Sequence, residues 1–451
     1  MTRLALLGAL FLVLAAPAAA ENRVVPVFGG QPPTRVDGDD LVPVLDGPFL
    51  SGEDVVFTER RLGRLAIVAD GPRGRRDLDV STTEPGPEPL EFDLDVAEGR
   101  LALTSWHFTC RGDLNCSRYD AGVPDHFTTL LGPVDGPFRR LDTSCGTATA
   151  DVAATAFAGV CMISGGRELH EEGGAAPRKL EGNVFLPPQV AGDFAAEAVA
   201  SGSATGIRVL RRPGLEEAYR VDAPIRAYDL LPDGALAYGV RGTPDVGWSS
   251  PADPAVHRLP VGAEVLGVAA AGERIATRAE GGRMKVIDRA GATVAEVTDP
   301  AAIASFDYDG TRLAWARRPC SRMSIVVWDL AQPQPALAGN DCTMPGHGTG
   351  RLRLGVNRRV VVTITCPAAA PEGCAGVTGL SVYLRRRAGA RPFLRGSTAE
   401  SFDLLAGESA RIRVRVSRKR LRSFRRGHVV IETTLLRSGQ DQLTRRPLRL
   451  R

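Results

Sequence analysis

Arg411, Arg413 and Arg415 alternate with Ile412, Val414 and Val416 near the end of this 451-residue chain. In a strand, successive side chains point to opposite faces, so three guanidiniums share one side and three apolar groups the other. Arg418, Lys419 and Arg420 extend the basic run, and Arg422, Arg425 and Arg426 follow. Guanidinium grips phosphate or carboxylate bidentately, so such a face can hold an anionic polymer. Two other readings stand beside this one. Lysine occurs only at Lys179, Lys285 and Lys419, so arginine is the general cation here and a solvated outer face would look the same. Attraction between this basic segment and the acidic remainder of the chain is the third.

The other chemistry-bearing residues carry less. Eight cysteines fall into four near neighbours: Cys110 with Cys116, Cys145 with Cys161, Cys320 with Cys342, and Cys366 with Cys374. In an exported chain an even count reads as structural disulfides, and sequential pairing is the expected connectivity among 105 possibilities. No CxxC spacing offers a zinc site. The six histidines (His107, His126, His170, His257, His347 and His428) show no HxH or HxxxH spacing. Arg111-Gly112-Asp113, inside the first cysteine pair, is an adhesion tripeptide that this composition produces by chance. Asp93-Leu94-Asp95 and Asp307-Tyr308-Asp309-Gly310 resemble paired catalytic carboxylates, but acids beside glycine usually bond their own backbone in turns. No GxSxG elbow, phosphate loop, dinucleotide turn or EF-hand is present. The expected inventory of catalytic, cofactor and metal residues is therefore empty. An enzyme that assembles its site from separated loops, however, would leave no linear motif.

Compartment follows from the N-terminus. Arg3 precedes the apolar run Leu4 to Ala16, and Ala18-Ala19-Ala20 suits signal peptidase, with Glu21 first in the mature chain. The apolar run is shorter than the roughly 20 residues that span a bilayer, and no later stretch reaches that length. The chain is expected to be secreted or associated with the cell envelope, with no span after signal removal and no nucleic-acid partner. Hydrophobic residues make up 43% of the sequence, and 50 Gly and 32 Pro are scattered through it. That balance favours a globular chain of short strands and turns.

A repeat organises the strands. Apolar segments begin at Ala195, Ala235, Arg274 and Arg312, at nearly equal intervals. Weaker copies occur at Val55-Val56-Phe57, Leu101-Ala102-Leu103 and Thr155-Ala156-Phe157. A period of about 40 residues with glycine turns is that of a β-propeller blade, whose units close radially to bury their faces. The count predicts about seven blades over residues 41–345, after a signal peptide (1–20) and an N-terminal lead-in (21–40). Phe306 to Trp315, with its Asp309-Gly310 turn, and Ile325 to Leu330 resemble the repeat of TolB-type, WD40-like bacterial propellers. Leu231 to Tyr238 is similar. The resemblance implies that these motif residues shape turns and blade packing.

Beyond residue 350 the charge inverts. Residues 351–451 hold 23 Lys/Arg and 6 Asp/Glu, whereas the preceding residues hold 33 and 46. Such asymmetry marks a domain boundary. Five strands are expected in this tail, at Val360 to Thr365, Leu380 to Leu384, Ser401 to Leu405, Arg411 to Val416 and Val429 to Leu436, which suits a small β-sandwich. Val362-Thr363-Ile364-Thr365-Cys366-Pro367, Cys374, Gly376 and the segment Ala406 to Val416 resemble the immunoglobulin-like C-terminal modules of secreted actinobacterial proteins. The resemblance implies a binding or accessory module.

The expectation is thus an all-β exported binding or scaffold protein, more non-enzymatic than not. Its propeller loops would form the recognition surface, and Arg411, Arg413, Arg415, Arg418, Lys419 and Arg420 the candidate contact for an anionic cell-wall polymer; another envelope protein is the other candidate partner. The alternative is an extracellular hydrolase or lyase in the propeller channel. Converging carboxylates with a His or Arg at the channel mouth would favour the enzyme, and a small, apolar mouth the binder.

Overall fold

The structure, a computed structural model, describes residues 22–27, 46–61, 64–78, 90–107, 126–141, 147–161, 166–172, 176–181, 186–201, 204–319, 323–337, 345–347, 357–370, 373–383, 394–395, 400–416, 418, 428–435 and 442–448. Seven antiparallel four-stranded sheets form the blades of a β-propeller. Blade 1 runs outward from Phe49–Ser51 through Asp54–Arg61 and Arg64–Gly71 to Gly74–Leu78. The innermost strands of blades 2 to 6 are Leu90–Ala97, Thr147–Ala153, Gln189–Ala191, Ile225–Leu230 and Val265–Ala271. All seven copies of the sequence repeat lie on the second strand of a blade, which is the most buried one. In blade 5 every residue of Leu236–Val240 is buried, because neighbouring blades cover both of its faces.

Blade 7 is built from both ends of the propeller sequence. Ala302–Tyr308, Arg312–Arg317 and Ser324–Asp329 supply its inner three strands. Its outermost strand is Arg23–Pro26, antiparallel to the third, with Arg23 opposite Val327 and Pro26 opposite Ser324. Part of the segment that the sequence sets apart as a lead-in therefore closes the ring. The Asn22 side chain accepts from Asp329 N at 3.1 Å and donates to Pro333 O at 2.6 Å, fixing where the strand begins. Val25 and Val27 share one buried cluster with Val55, Phe57 and Val68 of blade 1 and Ala314, Ile325 and Val327 of blade 7.

The two ends of the blades differ. At one, strand pairs turn through tight glycine corners. Gly192 (φ 49) is typical, since a Cβ there would lie 2.4 Å from Pro232 O of the next blade. At the other end, the connections between second and third strands vary in length: residues 108–125 make the link in blade 2, whereas 62–63 do so in blade 1 and 241–244 in blade 5.

The basic tail is a sandwich. One sheet orders Gly346–His347, Arg359–Thr365 and Ser409–Arg415. The other orders Leu394–Arg395, Cys374–Tyr383, His428–Leu435 and Gln442–Leu448, with Glu400–Leu404 also paired to Cys374–Tyr383. Between them Val360, Val362, Ile364, Ile412, Val414 and Val416 pack against Leu380, Phe402, Leu404 and Ile431. Gln442–Leu448 has no counterpart among the expected strands, because Arg445, Arg446 and Pro447 hide its alternation. Cys366 and Cys374 are joined by a disulfide. Among the described residues, no helix is long and apolar enough to cross a membrane.

Candidate functional site

Two clusters in the described residues bear charge in an organised way. The first is the outer face of the sandwich. Along Ser409–Arg415 the burial alternates: Arg411, Arg413 and Arg415 are exposed, and Ile412 and Val414 are buried. Among the described residues the strand is an edge of its sheet, with Arg359–Thr365 as its one neighbour. Register places Arg359 opposite Arg415, Val361 opposite Arg413, Thr363 opposite Arg411 and Thr365 opposite Ser409. Directly opposed residues share a face, so these eight side chains form one outer surface. It contains four arginines and no acid.

Like charges set opposite each other in adjacent strands, as Arg359 and Arg415 are, repel. No ion pair or hydrogen bond within the described residues involves the side chains of Arg359, Arg411 or Arg413. Glu408, the closest acid in sequence, turns back to accept from Leu405 N at 2.8 Å. In the propeller, by contrast, arginine is a structural ion: Arg76 meets Asp135 at 2.6 Å, Arg100 meets Glu172 at 2.9 Å, Arg283 meets Glu296 at 2.7 Å and buried Arg317 meets Asp299 at 2.7 Å. Arg418 is exposed just past the strand, whereas Lys419 and Arg420 lie outside the described residues. Sequence reasoning missed Arg359, because only register reveals which residue faces Arg415.

The second cluster lies on the propeller's inner strands. Asp95 accepts from Val152 N of the next blade at 2.8 Å, Asp151 from Val190 N at 2.7 Å, Gln189 from Leu230 N at 2.9 Å, Asp229 from Ala270 N at 2.6 Å and Asp307 from Leu50 N at 2.6 Å. The last of these bridges blade 7 to blade 1. Each side chain thus satisfies an inner-strand N–H of its neighbour, which would otherwise be a buried orphan. Burial is the main force on all four carboxyls and pushes them up, Asp307 to about 6 and Asp229 to about 7. Asp151 is raised well above its ordinary value by burial and by Asp95, with which it shares a hydrogen bond. Nearby, burial also raises Asp93 to about 7 and Asp46 to about 8.

Asp309 behaves as a turn acid, accepting from Thr311 N at 2.9 Å and Arg312 N at 2.7 Å. Asp95 and Asp307 do not; they join blades. The missed signal was positional. Each inner acid or Gln pairs with an alanine of the second strand a short, nearly constant distance on: Asp95 with Ala102, Asp151 with Ala158, Gln189 with Ala196, Asp229 with Ala237 and Asp307 with Ala314.

No family model matches the sequence, and no curated protein matches it. Among solved structures the chain is similar to one in a mitotic checkpoint complex, at 14% identity and a TM-score of 0.45, covering 71% of this chain and 99% of that one. It is also similar to a Myceliophteria thermophila Cps50 (Swd1) β-propeller domain, at 12% identity and a TM-score of 0.41 over 61% and 92%. A prolyl endopeptidase is a third, at 14% identity and a TM-score of 0.44 over 71% and 52%. The likeness is architectural.

Of the remaining predicted residues, Cys110, Cys116, Cys145, Cys320 and Cys342 lie outside the described residues, and only the backbone of Cys161 is described, in the strand Ala156–Cys161. Among the described residues, no three His, Cys, Asp or Glu side chains converge as metal ligands.

Proposed function

We propose that this chain is an exported binding or scaffold protein of the cell envelope or exterior, which presents partners on its propeller and holds an anionic polymer on its sandwich. The observation that carries the reading is the row Arg411, Arg413 and Arg415, exposed on an edge strand whose other face is anchored in the core. Anchoring makes the row straight and rigid, so its guanidiniums are preorganised for a ligand. On the propeller, the end bearing the long connections suits recognition, since rigid frames carry function on their loops. The repeat's similarity to TolB-type propellers and the tail's similarity to immunoglobulin-like modules agree with this division. The test is retention of the mature protein on anionic cell-wall polymer across a salt series. Changing Arg411, Arg413 and Arg415 together to Ser should abolish retention and leave the fold intact, because exposed positions affect stability by about 0.5 kcal/mol or less. Retention that ignores both salt and the triple substitution refutes the reading.

The alternative, a hydrolase or lyase in the channel, draws on the buried, hydrogen-bonded pair Asp95 and Asp151. Hydrogen bonds from Val152 N and Val190 N already engage both carboxyls, so Asp151→Asn is expected to change stability and leave any activity on envelope polymers unchanged.

A further inference from the structure

We infer that Arg359 completes the row and that its ligand is a linear phosphate polymer lying along the strand Ser409–Arg415. This rests on the polyanion reading above and adds the fourth residue, the ligand's direction and its chemical class. Direction comes from geometry. Strand side chains on one face repeat at about 6.8 Å, so Arg411 to Arg415 spans about 14 Å. A lone phosphate or carboxylate can sit between two neighbouring guanidiniums but cannot reach both ends. Arg359 broadens the Arg415 end of the row, facing it across the ladder.

Class comes from what else shares the face. Sugar- or base-bearing polymers are usually gripped by aromatic stacking as well as charge, and the eight paired positions hold no aromatic; Val361 is the only apolar one. Thr363, Thr365 and Ser409 instead place hydroxyls beside the Arg411 end, with Thr365 and Ser409 joined at 2.7 Å. Guanidinium forks flanked by hydroxyl donors match the several acceptor oxygens of a phosphodiester better than the two of a carboxylate. A glycerol-phosphate polymer of the wall and inorganic polyphosphate share this chemistry.

The experiment titrates the mature protein with long-chain inorganic polyphosphate, tripolyphosphate at equal total phosphate, a glycerol-phosphate polymer, and polygalacturonate as a carboxylate chain. Long polyphosphate should bind at least about tenfold more tightly than tripolyphosphate, because tethered charges engage the row together. Arg359→Ser should weaken that binding several-fold and lower its salt slope by about one ion. The glycerol-phosphate arm tells which source fits. Equal affinity for the long and short phosphates, or no effect of Arg359→Ser, overturns the row while leaving polyanion binding in place. Equal or tighter binding of polygalacturonate overturns the phosphate class. If the triple Arg→Ser protein also binds everything unchanged, the underlying polyanion reading fails instead.

Discussion

Asp229 is the residue whose role can be separated most cleanly from its charge. Burial lifts its carboxyl to about 7, and that of Asp307 to about 6. Both folded values stand above the unfolded value near 3.8, so their contribution to stability is complete below about pH 4 and lost as pH rises through 6 to 7. Asp135 acts oppositely: the Arg76 hydrogen bond holds it below its ordinary value, so its contribution is lost toward acid. The propeller should therefore melt higher at about pH 5 than at about pH 8. Asp229→Asn keeps an oxygen to accept from Ala270 N and removes the charge, so its melting temperature should fall less over that range. Parallel curves would contradict this account. Asp299 offers the converse case. It is 1% exposed and takes Arg317 Nε at 2.7 Å, Trp315 Nε1 at 2.9 Å and Ala301 N at 3.0 Å. Asp299→Ala takes the carboxylate away from the buried Arg317 guanidinium, and a denaturant midpoint should report a loss of about 3 kcal/mol or more. Neither acid announces itself in the sequence. Asp307 sits in a run that resembles a turn, and only the neighbouring blade, far away along the chain, shows what its carboxyl accepts.

Among the elements, Arg23–Pro26 has the largest consequence for its size. Removing residues 21–27 should leave the strand Ser324–Asp329 with an open edge of unpaired N–H and C=O groups. The expected result is a lower melting temperature and concentration-dependent association by light scattering. A synthetic peptide of residues 22–27 should reverse both by adding the strand back. A truncated protein that stays monomeric and melts normally would show that the edge needs no partner. The regular period made the second strands legible, because each has an apolar centre and most follow glycine corners. The closing strand was not legible: Arg23-Val24-Val25-Pro26 is short, and its partner, Ser324 to Val327, lies at the far end of the propeller sequence. On the sandwich, the alternation from Arg411 to Val416 revealed the exposed row, but Arg359 gained meaning only from its register.

At the scale of the whole molecule, the acidic ring of blades and the basic sandwich have separate cores. Calorimetry should resolve their transitions, and replacing Cys366 and Cys374 with Ser should lower only the sandwich's. The disulfide closes a separation of 8 residues, so the loss should be about 2 kcal/mol. A single transition that shifts as a whole would show that the two units unfold together. The order in which the chain is made gives the ring a further property. Of the ring's described strands Arg23–Pro26 is synthesised first, yet the strand it docks on, Ser324–Asp329, is the last that the ring receives. Until that strand has been produced, the blades can stack only as an open arc with two bare ends. Contacts so distant in sequence form slowly, so for most of its synthesis the nascent protein must be kept from its own copies. Whatever escorts it through that interval is as much a requirement of the architecture as any side chain.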